Sequence, residues 1–287
     1  MLLWINGPFG GGKAVIARTP PPRDRAQGGL GTEEARYARM ERMPPVPESS
    51  AVPADRAVAN DYDSFAEAYT AEAEASLVNG YYERPAILDL AGDVAGRRIL
   101  DAGCGSGPLF AALRERGAIV TGIDSSTRML ALARQRLGAS AALHFADLGS
   151  PLPFADGAFD DVVASLVLHY LEDWTAPLAE LRRVLMPGGR LIASVDHPIA
   201  FKLANPGADY LATRKWSFHW TFGRHSALMS FWHRPLHAMT DAFTTAGFRI
   251  AVISEPQPAP AARDLFPDEF RKLTTSPCFL FFVLEAV

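Results

Sequence analysis

The glycine-rich segment at residues 97–110, RRILDAGCGSGPLF, constrains the fold of this chain more than any other stretch. A short apolar run ends at Asp101, and Gly103, Gly105 and Gly107 follow at alternate positions. Glycine lets the backbone turn sharply and approach a ligand with no Cβ in the way. Pro108 suits the first turn of a helix, where its missing N–H costs nothing. The segment therefore predicts a strand, a tight turn and a helix, which open a nucleotide-binding α/β unit.

The glycine spacing bears on the class of ligand. A dinucleotide-binding loop has the pattern G-x-G-x-x-G, and its third glycine would fall at Pro108. This chain instead has glycines at alternate positions after an acid, which suits a cationic amine. The arrangement, with Cys104 inside the loop, resembles the first motif of class I S-adenosylmethionine-dependent methyltransferases. The resemblance implies S-adenosyl-L-methionine as the cofactor, and a glycine-rich turn without a ligand is the alternative.

Two further acids follow predicted strands. Asp124 ends the strand at 119–124, where a carboxylate can accept both ribose hydroxyls in dinucleotide and S-adenosylmethionine sites alike. The resemblance implies that the residues after the third strand meet the adenine edge, although Asp147 could instead bond its own backbone. The cofactor-binding residues predicted in this part of the chain are Asp124, Ser125, Met129, Ala146, Asp147 and Leu148.

Two tyrosines upstream of the glycine loop share the face of a predicted helix. Tyr62 and Tyr69 are seven residues apart, a spacing that aligns them along a helix. Their segment resembles the N-terminal helix that closes over the cofactor in small-molecule methyltransferases. An aromatic face attracts a sulfonium by cation–π interaction, so we expect both to contact the cofactor. Ordinary packing of two tyrosines is the alternative.

The ends of the fourth and fifth predicted strands supply further candidates. Ligands bind at the C-terminal edge of a parallel sheet, so we expect Ser165, at the end of 161–165, in the cofactor site. His169 lies just beyond it, and His197 follows the strand at 191–195. Imidazole titrates near neutral pH, which makes His197 the first candidate for a general base and His169 the second. A histidine packed in the core or under a loop is the alternative for each.

Residues 199–235 form an insert that is rich in aromatic side chains. Such a density favours a lid or wall around a hydrophobic or aromatic methyl acceptor. A subunit interface is the alternative, and the sequence leaves open whether the chain forms a homo-oligomer.

The first 54 residues stand apart from this pattern. Gly7 to Lys13 fits G-x-x-x-x-G-K and resembles a P-loop, but Ala14 replaces the Ser or Thr that would hold magnesium. Three prolines at 20–22 interrupt the long helix that a P-loop needs. We interpret residues 1–54 as a P-loop-like fragment followed by a disordered Pro-rich segment. The methyltransferase domain is predicted to comprise residues 55–287.

The amino-acid composition limits which binding partners and which cellular compartment we expect for this protein. The chain of 287 residues has a formal net charge of −4 and no long basic run, which argues against a nucleic-acid partner. No apolar run reaches the roughly 18 residues of a membrane span, and the N-terminal residues lack the features of a secretion signal. Two cysteines suit neither a disulfide framework nor a metal cluster. We expect a cytoplasmic protein without a metal and without a membrane partner.

The resemblance covers about residues 55–286 and implies a Rossmann-like class I methyltransferase fold. This fold has a seven-stranded, mostly parallel sheet with helices on both faces, and its last strand is inserted antiparallel between strands five and six. The implied function is methyl transfer from S-adenosylmethionine to oxygen, nitrogen or carbon of a small metabolite. The rivals are an NAD-type oxidoreductase, a non-catalytic S-adenosylmethionine-binding protein and an ATPase formed by the P-loop-like fragment.

Overall fold

The computed structural model describes residues 58–287. The predicted P-loop-like fragment and Pro-rich segment lie outside the described residues, as does the predicted domain boundary at residue 55. Within the described part, strands and helices alternate along the chain as in an α/β protein.

The strands of the described part fall into one large sheet and one hairpin. They are β1 (Arg98–Ala102), β2 (Ile119–Asp124), β3 (Ala142–Phe145), β4 (Phe159–Ser165), β5 (Leu185–Asp196), β6 (Arg214–Phe222), β7 (His225–His233), β8 (Phe248–Ser254) and β9 (Phe279–Ala286). The large sheet has the order β3-β2-β1-β4-β5-β9-β8. Its neighbours are parallel except around β9, which runs antiparallel between β5 and β8. The predicted seven-stranded sheet and its antiparallel insertion are therefore confirmed.

Helices connect these strands and precede the first of them. The α-helices of the described part are α1 (Tyr62–Ala75), α2 (Arg84–Ala91), α3 (Pro108–Glu115), α4 (Thr127–Leu137), α5 (Thr175–Val184), α6 (Pro198–Ala204), α7 (Leu236–Thr245), α8 (Ala262–Leu265) and α9 (Pro267–Leu273). A π-helix, Leu77–Glu83, leads directly into α2, and a short 3₁₀ turn, Leu168–Tyr170, follows β4. No helix in residues 58–287 is long and apolar enough to cross a membrane.

The side chains of the sheet alternate between two hydrophobic cores, one on each face. Along β9, Phe279 and Phe281 belong to the first core, whereas Leu280 and Phe282 belong to the second. Residues of α3 and α4 pack into the first core and residues of α5 and α7 into the second. Helices therefore cover both faces, as a mostly parallel sheet requires and as the resemblance implies.

Two local predictions differ from the structure. Over residues 80–95, where the sequence predicts one helix before β1, the helical residues are divided between the π-helix and α2. Strand β5 begins at Leu185 instead of residue 191, because Leu185 pairs with Phe159 of β4. The intervening Pro-Gly-Gly turn is accommodated within the strand, where Gly188 has a φ of +75° that an L side chain rarely adopts.

The aromatic insert folds as α6 and the hairpin β6–β7. Trp220, Phe222 and Phe231 are buried in the first core. Phe222 stacks on Phe65 of α1 with ring centroids 5.1 Å apart. The hairpin therefore supports α1 through Phe222, while Phe231 packs on Tyr170.

A buried carboxylate joins β4 to its neighbours. Asp161 is fully buried and accepts hydrogen bonds from both Arg97 and Arg190. Burial alone raises the pKa of this carboxyl, but the hydrogen bonds from Arg190 and Arg97 outweigh it and hold the pKa below its usual value. The charged form therefore stabilises the fold.

We expect Asp161→Ala to lower the free energy of unfolding by about 3 kcal/mol, because it leaves two partly buried guanidinium groups without their counter-charge. Urea denaturation measures this loss. Asp268→Ala, which removes an exposed pair with Arg271, is the matched control and should leave the midpoint unchanged. Equal losses in the two variants would contradict the assignment.

Candidate functional site

A cavity lies at the carboxyl edge of the sheet, beside the ends of β1, β2 and β4. The lining comes from these strand ends, from the loops that follow them, and from α1 and the π-helix. The predicted cofactor-binding residues that line it are Tyr62, Tyr69, Asp101, Gly103, Cys104, Gly105, Asp124, Ser125, Met129, Ala146, Asp147, Leu148 and Ser165. Segments separated by about a hundred residues along the chain thus meet at one cavity, while Gly107, His169 and His197 do not line it.

The three glycines after β1 are each required for a different structural reason. Gly103 has a φ of +79°, and a Cβ there would lie 2.8 Å from Val167 Cγ2. Gly105 has a φ of +54°, and a Cβ there would meet nothing within 4 Å. Gly107 has a φ of +83° just before α3, and its Cβ would lie 2.8 Å from Leu137 Cδ1. Gly107 is therefore explained by helix packing, and the predicted contact of this residue with the cofactor stays a prediction.

Asp101 is the most unusual polar group in the cavity. The residue is 1% exposed, and its Oδ2 has no hydrogen-bond partner in the described structure. Burial, followed by the charges of Asp124 and Glu83, raises the pKa of this carboxyl to about 8. The carboxyl is therefore largely protonated at neutral pH and would ionise readily only beside a cation, because burying a charge without a partner is costly.

Asp124 is held rigidly at the end of β2. One carboxylate oxygen accepts a hydrogen bond from Gly105 N at 2.8 Å, and the other accepts one from Ser126 N at 2.8 Å. Each oxygen keeps a further lone pair. Burial raises the pKa of this carboxyl despite these bonds. Asp124 and Asp101 are therefore two acids facing one cavity, which is the convergence that the sequence predicts.

Asp147 and Ser165 both use their side chains within the protein. Asp147 Oδ1 accepts a hydrogen bond from Gly149 N at 2.8 Å, which is the backbone-bonded turn considered as the alternative. Ser165 donates from Oγ to Glu83 Oε1 at 2.6 Å. The cofactor contacts predicted for these two residues stay predictions.

Sequence reasoning missed Glu83 and Arg84, which also line the cavity. Glu83 is 4% exposed, and burial raises its pKa. Arg84 is the only cationic side chain among the described lining residues, and no salt bridge within the described part is formed by its guanidinium. The available signal was two adjacent charges, Glu83 and Arg84, within a mostly apolar helical stretch at residues 77–91.

Helix α1 covers the cavity and is fastened at two points. Asp63 accepts hydrogen bonds from Ser126 Oγ at 2.5 Å and from Arg128 N at 2.9 Å, at the N-terminus of α4. Before α1 begins, Asn60 Nδ2 donates to Ser230 O and Asn60 Oδ1 accepts from Ser230 N, both at 2.8 Å. The helix is therefore tied to the sheet domain on one side and to the hairpin on the other.

Tyr62 and Tyr69 of α1 and Tyr170 of the 3₁₀ turn lie together and form what we call the tyrosine wall. The hydroxyls of Tyr62 and Tyr170 are 2.5 Å apart, and Tyr62 meets Tyr69 edge to face with centroids 5.1 Å apart. Burial raises the pKa of all three phenols, so they are neutral at ordinary pH. Phe231 of the hairpin packs on Tyr170 with centroids 5.2 Å apart. The insert therefore supports the wall, and no residue at 199–235 lines the cavity itself.

Neither histidine predicted as catalytic lies in the wall of the cavity. His197 accepts a hydrogen bond from Ile199 N at its Nδ1, and its Nε2 lies 2.6 Å from Glu255 Oε1. His169 accepts from Asp196 N at its Nδ1, and burial lowers its pKa to about 3. The imidazole of His197 caps α6, and that of His169 is buried. The catalytic roles predicted for the two histidines stay predictions.

Comparisons with known proteins agree with this fold and site. A family described as "Methyltransferase domain" matches residues 100–193, a stretch that contains the glycine loop, Asp124 and Ser165. A solved S-adenosylmethionine-dependent methyltransferase from Mesorhizobium loti is 28% identical, with a TM-score of 0.57 over 72% of this chain and 99% of that one. A methyltransferase-domain family thus matches about a third of the chain, and the chain as a whole is similar in fold to solved S-adenosylmethionine-dependent methyltransferases.

Two curated relatives indicate the range of the family. Malonyl-[acyl-carrier protein] O-methyltransferase of Serratia marcescens is 40% identical over 141 residues, which are 48% of this chain and 52% of the relative. Demethylmenaquinone methyltransferase of Thermus thermophilus is 43% identical over 109 residues, which are 37% of this chain and 50% of the relative. The chain thus spans about half the length of the curated relatives that it matches.

We expect Asp63→Ala to loosen α1, because it removes acceptors from the N-terminus of α4, and to cost about 1 kcal/mol of stability. Hydrogen exchange should accelerate in α1 more than in the strands. Thr127→Ala, which removes only the longest of the bonds to Asp63, is the control and should change exchange little. Uniform acceleration throughout the sheet would show that Asp63 does not act locally.

Proposed function

We propose that this protein transfers the methyl group of S-adenosylmethionine to a small, hydrophobic or aromatic acceptor. The observation that carries the proposal is the unpartnered carboxylate oxygen of Asp101, buried beside the glycine loop in a cavity that Asp124 also lines. S-adenosylmethionine has an ammonium group, a ribose diol and an adenine on one molecule. The cavity lining includes two acids, Asp101 and Asp124, and the loop Ala146-Asp147-Leu148, which are groups that such a ligand needs.

The residues present fit the amino-acid end of the cofactor. Asp101 would take the ammonium group, which relieves a carboxylate that is otherwise buried without compensation. Arg84 would take the carboxylate, because it is the only cation among the described lining residues. Guanidinium and carboxylate pair through two parallel hydrogen bonds, which adds orientation to attraction.

The residues at the other end fit the nucleoside. Asp124 would accept from the ribose hydroxyls with the lone pairs that its backbone partners leave free. Ala146, Asp147 and Leu148 would meet the adenine, and Met129 would pack against it. The absence of a Cβ at Gly105 keeps the loop open on the side where the ligand would pass.

The acceptor would lie against the tyrosine wall. The lining includes the aromatic rings of Tyr62, Tyr69 and Tyr170, which favour an apolar or aromatic metabolite. The cofactor contacts predicted for Tyr62 and Tyr69 stay predictions. The name demethylmenaquinone methyltransferase, borne by a relative, describes a methyl acceptor of this kind. Methylation at oxygen, nitrogen or carbon is compatible with this wall.

The protein's own contribution is binding, orientation and exclusion of water. The cofactor supplies an electrophilic methyl group on a sulfonium when it is bound. Helix α1 and the tyrosine wall would exclude water from that end of the cavity, and alignment of two reactants supplies much of the rate in such displacements. Neither His169 nor His197 lines the cavity, so a base drawn from these histidines would have to act through other groups.

The decisive experiment has two stages. Calorimetry with the purified protein should show binding of S-adenosylmethionine and no binding of NAD, which separates a methyltransferase from an oxidoreductase. Transfer of isotopically labelled methyl to a panel of phenols, quinols, amines and thioester-linked acids then separates an enzyme from a non-catalytic binding protein. NAD binding without S-adenosylmethionine binding would overturn the proposal.

We expect S-adenosylmethionine binding to release about one proton near pH 6.5, because Asp101 is protonated in the free protein and must ionise to pair with an ammonium group. The sign follows from the raised pKa of about 8: affinity should rise with pH until Asp101 is ionised without the ligand. Calorimetry in buffers of different ionisation enthalpy measures how many protons are released on binding.

Asp101→Asn is the control for this prediction. It removes the titrating group and the anion together, so binding should weaken at least about tenfold and release no proton. Proton release that survives in Asp101→Asn would assign the titration to another acid of the cavity, Asp124 or Glu83.

A further inference from the structure

A strained residue lies at the edge of the cavity, directly after β4. Leu166 has a φ of +50°, and Asn60 is the only other non-glycine residue of the described part with a positive φ. A leucine in this left-handed conformation is disfavoured because its Cβ crowds the backbone. Such strain persists only where surrounding structure holds it, and it is concentrated at functional sites.

Two hydrogen bonds to one serine hold this conformation. The amide of Leu166 donates to Ser194 O at 3.1 Å and to Ser194 Oγ at 3.0 Å. Ser194 is fully buried in β5, so no water competes for its hydroxyl. The position of that hydroxyl therefore bears directly on the backbone of Leu166.

A buried acid orients the serine. Ser194 Oγ donates its hydrogen to Glu83 Oε1 at 2.7 Å, and Ser165 Oγ donates to the same oxygen at 2.6 Å. With its hydrogen engaged, the Ser194 hydroxyl can only accept from Leu166 N. Glu83 thus fixes the hydroxyls on both sides of the strained turn from the end of the π-helix.

The strained turn at Leu166 also affects the shape of the glycine loop. The residue after Leu166 is Val167, and its Cγ2 lies only 2.8 Å from where a Cβ of Gly103 would be. Val167 and Leu166 both line the cavity, as does Gly103. A different conformation at Leu166 would therefore move the side chain on which the loop rests.

We propose that Glu83 and Ser194 are positioning residues, which clamp Leu166 in its left-handed conformation and so hold Val167 against the glycine loop. This inference rests on the proposed function, since the loop is taken to bind S-adenosylmethionine. Glu83 acts here as a hydrogen-bond acceptor for two serines, and the clamp requires no contact between Glu83 and the ligand.

Calorimetry of S-adenosylmethionine binding to four variants tests the clamp. Glu83→Ala and Ser194→Ala should each raise Kd about tenfold or more, because the first releases the Ser194 hydroxyl and the second removes it, which leaves the Leu166 amide with only the Ser194 carbonyl as a fixed acceptor. Glu83→Gln should stay within about threefold of the unmodified protein, because its amide oxygen accepts from the same two serines. Ser217→Ala, which breaks a serine–serine pair in the hairpin, is the matched control and should leave Kd unchanged.

Relief of the strain supplies the sharper test. Glycine adopts a positive φ without penalty, so Leu166→Gly should make the clamp unnecessary. In the Leu166→Gly background, Ser194→Ala should change Kd by less than about threefold. Additive effects of the two substitutions would overturn the clamp, as would a Glu83→Gln variant that binds as weakly as Glu83→Ala.

A readout without ligand separates this inference from the proposed function. The Leu166 amide should exchange its hydrogen slowly in the unmodified protein and at least about tenfold faster in Ser194→Ala, while thermal unfolding reports on the whole fold. If the protein binds no S-adenosylmethionine but shows this change, the proposed function fails and the clamp stands. Unchanged exchange at Leu166 would overturn the clamp whether or not the ligand binds.

Discussion

The arrangement of the site depends on one buried acid that has no counter-charge, at the end of a buried strand. Asp101 belongs to β1, in the middle of the sheet, so its carboxylate is removed from water by the same packing that stabilises the strand. Asp124 and Glu83 add negative charge instead of relieving it. A protein retains such a group at a cost in stability, and the cost is understandable where a cationic ligand completes the site.

The other elements around the cavity differ in what they contribute to it. The glycine loop and the tyrosine wall both line the cavity, and we propose that the loop admits the ligand while the wall supplies an aromatic surface. The hairpin of the insert packs behind that wall through Phe222 and Phe231, and Asn60 ties it to the start of α1. The aromatic residues that the sequence suggests as a lid thus act one layer further out. This layered support is consistent with a site that must exclude water while a small acceptor binds.

Much of the fold could be predicted because local patterns fix parallel strands. The apolar runs ending at Asp101 and Asp124, and the glycines after the first, predict strand ends that must meet at one edge of the sheet. The catalytic candidates were less predictable. His169 and His197 also follow strands, but their orientation depends on partners distant in sequence, Asp196 and Glu255. Glu83 and Arg84 carry no motif. Their place in the cavity comes from the junction of the π-helix with α2, where Glu83 accepts hydrogen bonds from Ser165 of β4 and Ser194 of β5.

The sequence by itself determined the class of fold, the glycine loop and the two acids that follow strands, because these depend on spacing within short segments. The tertiary structure alone decided which side chains face the cavity, how α1 is fastened, and that Leu166 adopts a strained conformation held by Ser194. The physical reason is the range of the interactions. Hydrophobic periodicity and turn chemistry act between neighbours along the chain, whereas burial, charge coupling and hydrogen bonds between distant residues exist only after the chain has folded.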